Sequence, residues 1–271
     1  MNQQEPSPPH ALKAKFESRN DLIDYVHSIS PWSAKTPASP FPGGPHAADQ
    51  RLQDIKPGQY ARTRNYLQGD VTFLSPYIRH GLISLSESRD MALTKVSRPK
   101  QAEKFIQELA WRDFWQRIYV AHPEWIWQDI EEYKTGWLPE DYAPKLPDDI
   151  RVGKTGVACI DHFIRTLVET GYLHNHARMY VASYVVHWRR VRWQAGAEWF
   201  LHHLLDGDPA SNNLSWQWVA STFSRKPYIF NLENVEKYTN ETVDTSSANN
   251  QVLAASYEFL TDTLFPKRGQ V

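Results

Sequence analysis

A single cysteine, Cys159, stands in a chain of 271 residues. No intrachain disulfide framework can form, and without a CxxC pair there is no cysteine-based zinc site. That scarcity suits a reducing compartment. No apolar run approaches the length that spans a bilayer, and the polar, Pro-rich N-terminus lacks the apolar stretch of a signal peptide. The expectation is a soluble intracellular protein, cytoplasmic or organellar. Neither sign of charge is in excess, with 30 Lys and Arg against 31 Asp and Glu, so bulk electrostatics neither demands nor forbids nucleic acid. The absence of GxGxxG and GxxxxGK[ST] removes support for a Rossmann dinucleotide site and for a P-loop.

What the chain has in excess is tryptophan, 11 residues in all. Trp125, Trp127 and Trp199 are expected in a helical core. Charge is unevenly placed: Tyr172 to Asn231 holds six Arg and Lys against three Asp and Glu, while Gln128 to Asp149 holds two against seven. A basic face of that kind can meet phosphates locally. Half of the 18 prolines fall in the first 58 residues. Met1 to Pro9 is expected to be disordered, Ser18 to Ile29 to form a short helix, and Thr36 to Pro45 to connect without helix, because Pro and Gly interrupt every helical register there. Beyond this arm the apolar spacing is helical almost throughout. It predicts helices at 47–55, 58–68, 75–81, 85–95, 99–121, 123–132, 155–171, 173–190, 195–206, 209–221 and 231–238, with a loop over 133–154. The expected architecture is all-α. A Pro-rich, partly disordered arm spans 1–46, a single helical domain 47–240, and a divergent tail 241–271.

Several stretches carry candidate chemistry. Ser75-Pro76 reads as a helix start, with Ser75 as N-cap and Pro76 as N1. First-turn N–H groups and the hydroxyls of Thr72 and Ser75 then make an anion cradle, although most such starts merely cap a helix. Glu108, Trp111, Arg112 and Trp115 share one broad helical face. An exposed Glu108–Arg112 pair is the plain alternative, and it leaves two indoles on that face unexplained. From Leu173, residues Asn175, Arg178, Met179 and Ala182 line one face with an amide, a guanidinium, a thioether and a small side chain, open to something large and flat. Arg178 is expected to pair with Asp206, which in a buried setting needs further hydrogen bonds. Asp208, Asn212, Asn213, Trp216 and Trp218 follow closely. No metal is expected: His174 and His176 cannot converge on one ion, His202 and His203 diverge likewise, and Asp206 with Asp208 lacks further ligands.

Tyr60, Thr72-x-Leu74-Ser75-Pro76, Glu108-Leu109-Ala110-Trp111-Arg112-Asp113-Phe114 and the run from Asn175 to Trp218 together resemble the flavin-binding core of the photolyase/cryptochrome family, over roughly residues 41–240. Phe41-Pro42-Gly43-Gly44 and Thr63-Arg64-Asn65 are similar to its DASH-type branch. Leu214-Ser215 departs from the family's usual Gly-Gly. The resemblance implies a helical FAD-binding domain. It places Tyr60, Thr72, Leu74 and Ser75 at the pyrophosphate, and Arg112, Asn175, Arg178, Asp206, Asp208 and Asn212 along the rest of the cofactor, Asn212 facing flavin N5. It implies a substrate wall of Glu108, Trp111, Asn175, His176, Met179 and Trp218 for UV-damaged DNA with the lesion flipped out. Asn175 and Met179 match the form associated with cyclobutane pyrimidine dimers, whereas His176 replaces a usual Arg and bears on one DNA contact. Trp216 and Trp193 match the inner and middle members of an electron relay. The outer position holds Glu140, with Trp137 or Tyr142 as substitutes. Full-length members begin with an antenna domain that has no counterpart here, so light is expected to be harvested through FAD alone. The implied activity is light-driven electron transfer that repairs pyrimidine dimers, with a shallow groove suited to single-stranded DNA. The alternative is a cryptochrome-like blue-light photoreceptor acting through a protein partner without repair.

Overall fold

Ser18 opens the first helix of the computed structural model: its hydroxyl accepts from the Asp21 amide at 3.1 Å, satisfying one of the donors that a helix start leaves unpaired. The structure describes residues 12–30 and 38–266. The segment expected to be disordered, Met1 to Pro9, lies outside the described residues, as do Thr36 and Pro37 of the connector. The chain divides into two units, Met1–Pro40 and Phe41–Val271. The first holds helix α1, Arg19–Ile29.

The second unit holds α2 (Pro45–Gln53), α3 (Pro57–Thr63), α4 (Ser75–Arg79), α5 (Leu85–Thr94), α6 (Glu103–Ala121), α7 (Asp148–Arg151), α8 (Ala158–Thr170), α9 (Asn175–Ser183), α10 (Trp193–His203), α11 (Pro209–Ala220), α12 (Leu232–Thr239) and α13 (Tyr257–Leu264). Among the described residues there is no strand, only an isolated parallel bridge between Ala143 and Val191. The all-α expectation holds. The larger core gathers around α8 to α11, where Trp193, Tyr180, Phe163 and Phe200 are fully buried. A smaller core joins α2, α4, α5 and α6 through Leu52, Tyr77, Ala92 and Phe105, and Leu74 lies within it. Helix α8 buries Cys159, Ile160, Phe163, Ile164 and Leu167, a stripe with helical period. It stops at Gly171, whose φ of +71° is the left-handed conformation that glycine adopts without strain.

Four expectations are corrected. The helix expected at 58–68 ends at Thr63, because the chain doubles back until Gly69 meets the Thr63 carbonyl, where a Cβ would lie 2.0 Å from the oxygen. The helix expected at 123–132 shrinks to a 3-10 turn over Pro123–Ile126. The backbone beyond it bonds across to the end of α11 instead: Ile130 N–H to Gln217 Oε1 at 3.1 Å, Glu131 N–H to the Thr222 carbonyl at 2.9 Å, and Lys134 N–H to Ser221 Oγ at 2.9 Å. In that segment Trp127 is 43% exposed rather than in the core. Finally, residues 241–266 fold onto the main body rather than trailing from it. Val243 and Leu253 are buried in the larger core, and Leu260 and Phe265 are buried as well.

Candidate functional site

Helices α6, α9 and α11 meet where the candidate residues converge. On α9, Arg178 donates from Nη2 to both Asp206 oxygens, at 3.0 and 2.8 Å, and from Nε to the Leu173 carbonyl at 2.8 Å. Burial works against the guanidinium's charge, and the Asp206 carboxylate outweighs it, leaving the pKa raised. A buried pair survives only when such extra bonds are present. The guanidinium also lies 5.5 Å from the Tyr172 ring. That ring closes a cluster with Phe41 (5.0 Å) and Phe73 (5.1 Å). Phe73 has φ +54°, an outlier for a bulky residue and the kind of strain that collects at functional sites.

Asp208 caps α11, accepting from the Ser211 amide at 3.0 Å, and takes two bonds of 2.8 Å from the Gln116 amide of α6. Burial pushes its carboxyl up. The bonds from Ser211, the Arg112 charge and the Gln116 amide outweigh that and hold it below the usual carboxylate range. Gln116 was not singled out from sequence, although it lies on the Glu108–Arg112 face at helical spacing. Next on α11, Asn212 donates from Nδ2 to the Ala197 carbonyl (3.0 Å) and to Asn213 Oδ1 (2.9 Å).

Trp216 is buried edge-on against Phe200, with ring centroids 4.9 Å apart, and Trp218 is 41% exposed. Gln217 between them joins the 125–130 segment to α11 through the Trp125 carbonyl and the Ile130 amide. Trp193 is fully buried and donates from Nε1 to Asp129 Oδ1 at 2.6 Å. Asp129 had no signal in the sequence beyond its acidic neighbourhood. Trp137 lies elsewhere, its Nε1 on the Leu264 carbonyl at 2.8 Å and the Arg190 guanidinium 4.5 Å from its ring centroid.

On α6, Trp111 is 51% exposed and stacks on Trp115 at 5.4 Å. The Glu108–Arg112 pair does not form; Glu108 takes Lys104 (2.7 Å) and Arg64 (3.3 Å). Tyr60 stands edge-on to Phe105, with its phenol pushed up to about 12 by burial and then by Glu108. The helix start at Ser75 also differs. Leu74 takes the cap position and Ser75 opens the helix, so no side-chain cap bond forms, because leucine carries no acceptor; the Thr72 hydroxyl accepts from the Leu74 amide at 3.5 Å. The Leu74 side chain is core. Asn175 opens α9 in an exposed position, its amide 3.9 Å from the Met179 sulfur. His176 is wedged between the Tyr180 and Tyr238 rings, and its Nδ1 lies 2.8 Å from the Asn65 carbonyl. Burial, above all, lowers its pKa.

Comparison with known proteins bears on the family and the fold. The family model described as the FAD binding domain of DNA photolyase matches residues 105–254. A deoxyribodipyrimidine photo-lyase of Streptomyces griseus is 34% identical over 206 residues, covering 73% of this chain and 42% of the relative. One from a Synechococcus strain is 32% identical over 224 residues, covering 74% and 43%. The chain thus spans about two-fifths of the length of these curated relatives. Among solved structures, an archaeal photolyase from Sulfolobus tokodaii aligns with a TM-score of 0.69 at 24% identity over 92% of this chain and 60% of that one. A cryptochrome from Synechocystis aligns with a TM-score of 0.67 at 24% identity over 82% of this chain and 51% of that one. These two likenesses establish the fold. The chain belongs to the photolyase family, carrying its helical FAD-binding domain, and FAD is its cofactor. No helix among the described residues is long and apolar enough to cross a membrane.

Proposed function

We propose that this chain repairs cyclobutane pyrimidine dimers in single-stranded DNA by light-driven electron transfer. The observation that carries the reading is that the same helices carry both kinds of group. Helix α9 sets exposed Asn175 and half-buried Met179 beside Arg178, which is tethered to buried Asp206. Helix α11 presents Trp218 outward and Trp216 inward. Groups suited to an extruded base thus stand one side chain away from groups suited to a buried cofactor.

The donor set fits a flavin. Among the described residues, Arg178 spends Nε and Nη2 but leaves Nη1 as a donor, and Asn212 spends Nδ2 but leaves Oδ1 as an acceptor. A flavin's polar edge alternates carbonyl oxygens with ring nitrogens and takes both kinds of partner. Asp206 and Asp208 would fix the polar side, with Tyr60, Thr72, Ser75 and the Leu74 backbone at the phosphates and Arg112 near Asp208. Bound FAD supplies light absorption and the transferable electron. The protein's part is position and charge. Trp111 and Trp218 would stack an extruded lesion, Glu108, Asn175 and Met179 would border it, and His176, already wedged between rings, would act as packing. The proposed relay is Trp216 and Trp193, where the Asp129 carboxylate at the Trp193 nitrogen favours positive charge on that indole. The Arg190 guanidinium over Trp137 opposes positive charge there, so the relay is proposed to end before Trp137.

Illumination of the FAD-loaded chain with UV-irradiated oligothymidylate tests the reading, with dimers counted by chromatography. Dimers are expected to disappear only in the light. Trp111→Ala is expected to weaken dark binding of the dimer by about tenfold, the loss of roughly one stacked base. Intact dimers after illumination of flavin-loaded protein would overturn repair and favour the photoreceptor reading.

A further inference from the structure

Helices α9, α12 and α13 border a recess of about 310 Å³, to which α9 contributes Asn175, His176 and Met179. Three phenol rings reach it, from Tyr228, Tyr238 and Tyr257. The Tyr238 ring lies 4.5 Å from that of His176, and the Tyr228 ring lies 5.7 Å from that of Trp218, which joins the recess to the exposed indole of α11. Asn234 accepts the Tyr180 hydroxyl on Oδ1 at 2.7 Å, so its Nδ2 keeps its hydrogens. Among the described residues neither the Tyr228 nor the Tyr238 hydroxyl makes a hydrogen bond. The only fully charged residue in the lining, Arg64, is paired with Glu108 at 3.3 Å.

This chemistry is specific in kind. A phosphate selects clustered, uncommitted cations, which the lining does not offer. Planar phenol and imidazole faces select a planar heterocycle, and phenol hydroxyls with a free amide N–H select its donor and acceptor edge. The size lies at the lower end of ligand pockets, too small for a folded dinucleotide and suited to one base. We propose that this recess takes one unpaired nucleobase of a single strand, the neighbour of the base stacked on Trp111 and Trp218, with Asn175 and Met179 as the wall between the two. The inference rests on the proposed function in one respect, that a polynucleotide lies along that wall. A duplex keeps its bases stacked and paired, so a filled recess selects single-stranded substrate.

The test is an abasic scan. A short oligothymidylate, with and without one dimer, is bound in the dark to the FAD-loaded chain, and each base in turn is replaced by an abasic linker that keeps its phosphate. At one position outside the dimer the parent is expected to lose about tenfold in affinity. In Tyr257→Ala the same replacement is expected to cost less than threefold, and Tyr257→Phe, which keeps the ring, should behave as the parent. Tyr257 is 44% exposed, so its replacement leaves the cores intact. If no abasic position outside the dimer costs the parent affinity, the strand is held by phosphates only, and if one does but costs Tyr257→Ala as much, that base does not meet the recess; either result overturns the inference. The preference for dimer over undamaged strand reports separately on the proposed function. A coupled base without such a preference upholds the recess and removes the lesion reading.

Discussion

At the scale of single residues, two side chains two positions apart on α11 do opposite things. Successive helical residues are about 100° apart, so Trp216 and Trp218 lie on opposite faces, one in the core and one in solvent. Periodicity makes that split legible; which indole turns inward depends on α10. Gly196 settles it, because a Cβ there would lie 2.3 Å from Cη2 of the Trp216 ring. Gly196→Ala is therefore expected to cost about 2–3 kcal/mol through overpacking, lowering Tm by roughly 4–12 °C. Gly58→Ala, with no atom within 4 Å of its added methyl, should stay within about 1 kcal/mol of the parent. Thermal melts by circular dichroism compare the two, and equal melting points would mean that the indole has room to move. Arg178 with Asp206 was legible in the same way, from spacing and charge. Gln116 and Asp129 were not, because a polar residue's partner across 92 or 64 positions leaves no local pattern.

At the scale of elements, the long helix expected over 173–190 is α9 followed by a π turn, Tyr184–Trp188. Wide turns of this kind break the period that sequence reading relies on. The turn carries His187 into the interior, with Nε2 on the Val219 carbonyl at 3.0 Å and its ring edge-on to Phe265. Burial lowers its pKa to about 4, against a weaker opposing pull from the Val219 carbonyl. The unfolded chain takes up this proton near the ordinary histidine value of about 6.5, while the folded chain resists it. The stability held by the neutral ring is thus complete above about pH 6.5 and is lost as pH falls toward 4. His187→Gln keeps a donor for Val219 but does not titrate. Between pH 7.5 and 5.0 it is expected to lose about 2 kcal/mol less than the parent in urea melts. His174, also lowered to about 4 by burial, contributes to both chains, so the difference isolates His187. Equal losses in parent and variant would place the His187 ring in water.

At the scale of the molecule, the last described segment completes the structure. Val243, Leu253, Leu260 and Phe265 are buried, and each fully buried apolar side chain is worth about 1.5–3 kcal/mol. Together they rival a whole domain's net stability of about 5–15 kcal/mol. A chain ending at Asn240 is expected to show no cooperative unfolding transition, and a sharp parent-like urea transition would refute this. The same segment supplies Tyr257 to the proposed base recess, so under that proposal one element would serve both stability and recognition.

The sequence alone determined the all-α class, the order of the helices and the resemblance to a flavin-binding core, because apolar period and short motifs are local properties of the chain. It also determined which residue types were available for a cofactor. Tertiary structure decided what those residues do. It split the two indoles of α11, gave Glu108 to Arg64 and Lys104 rather than Arg112, and turned His176 into packing. It also drew residues 127–134 into bonds with α11 and folded 241–266 into the core. Each of these outcomes depends on which distant backbone or side chain competes for the same hydrogen bond or the same volume, and no short window of sequence contains both competitors.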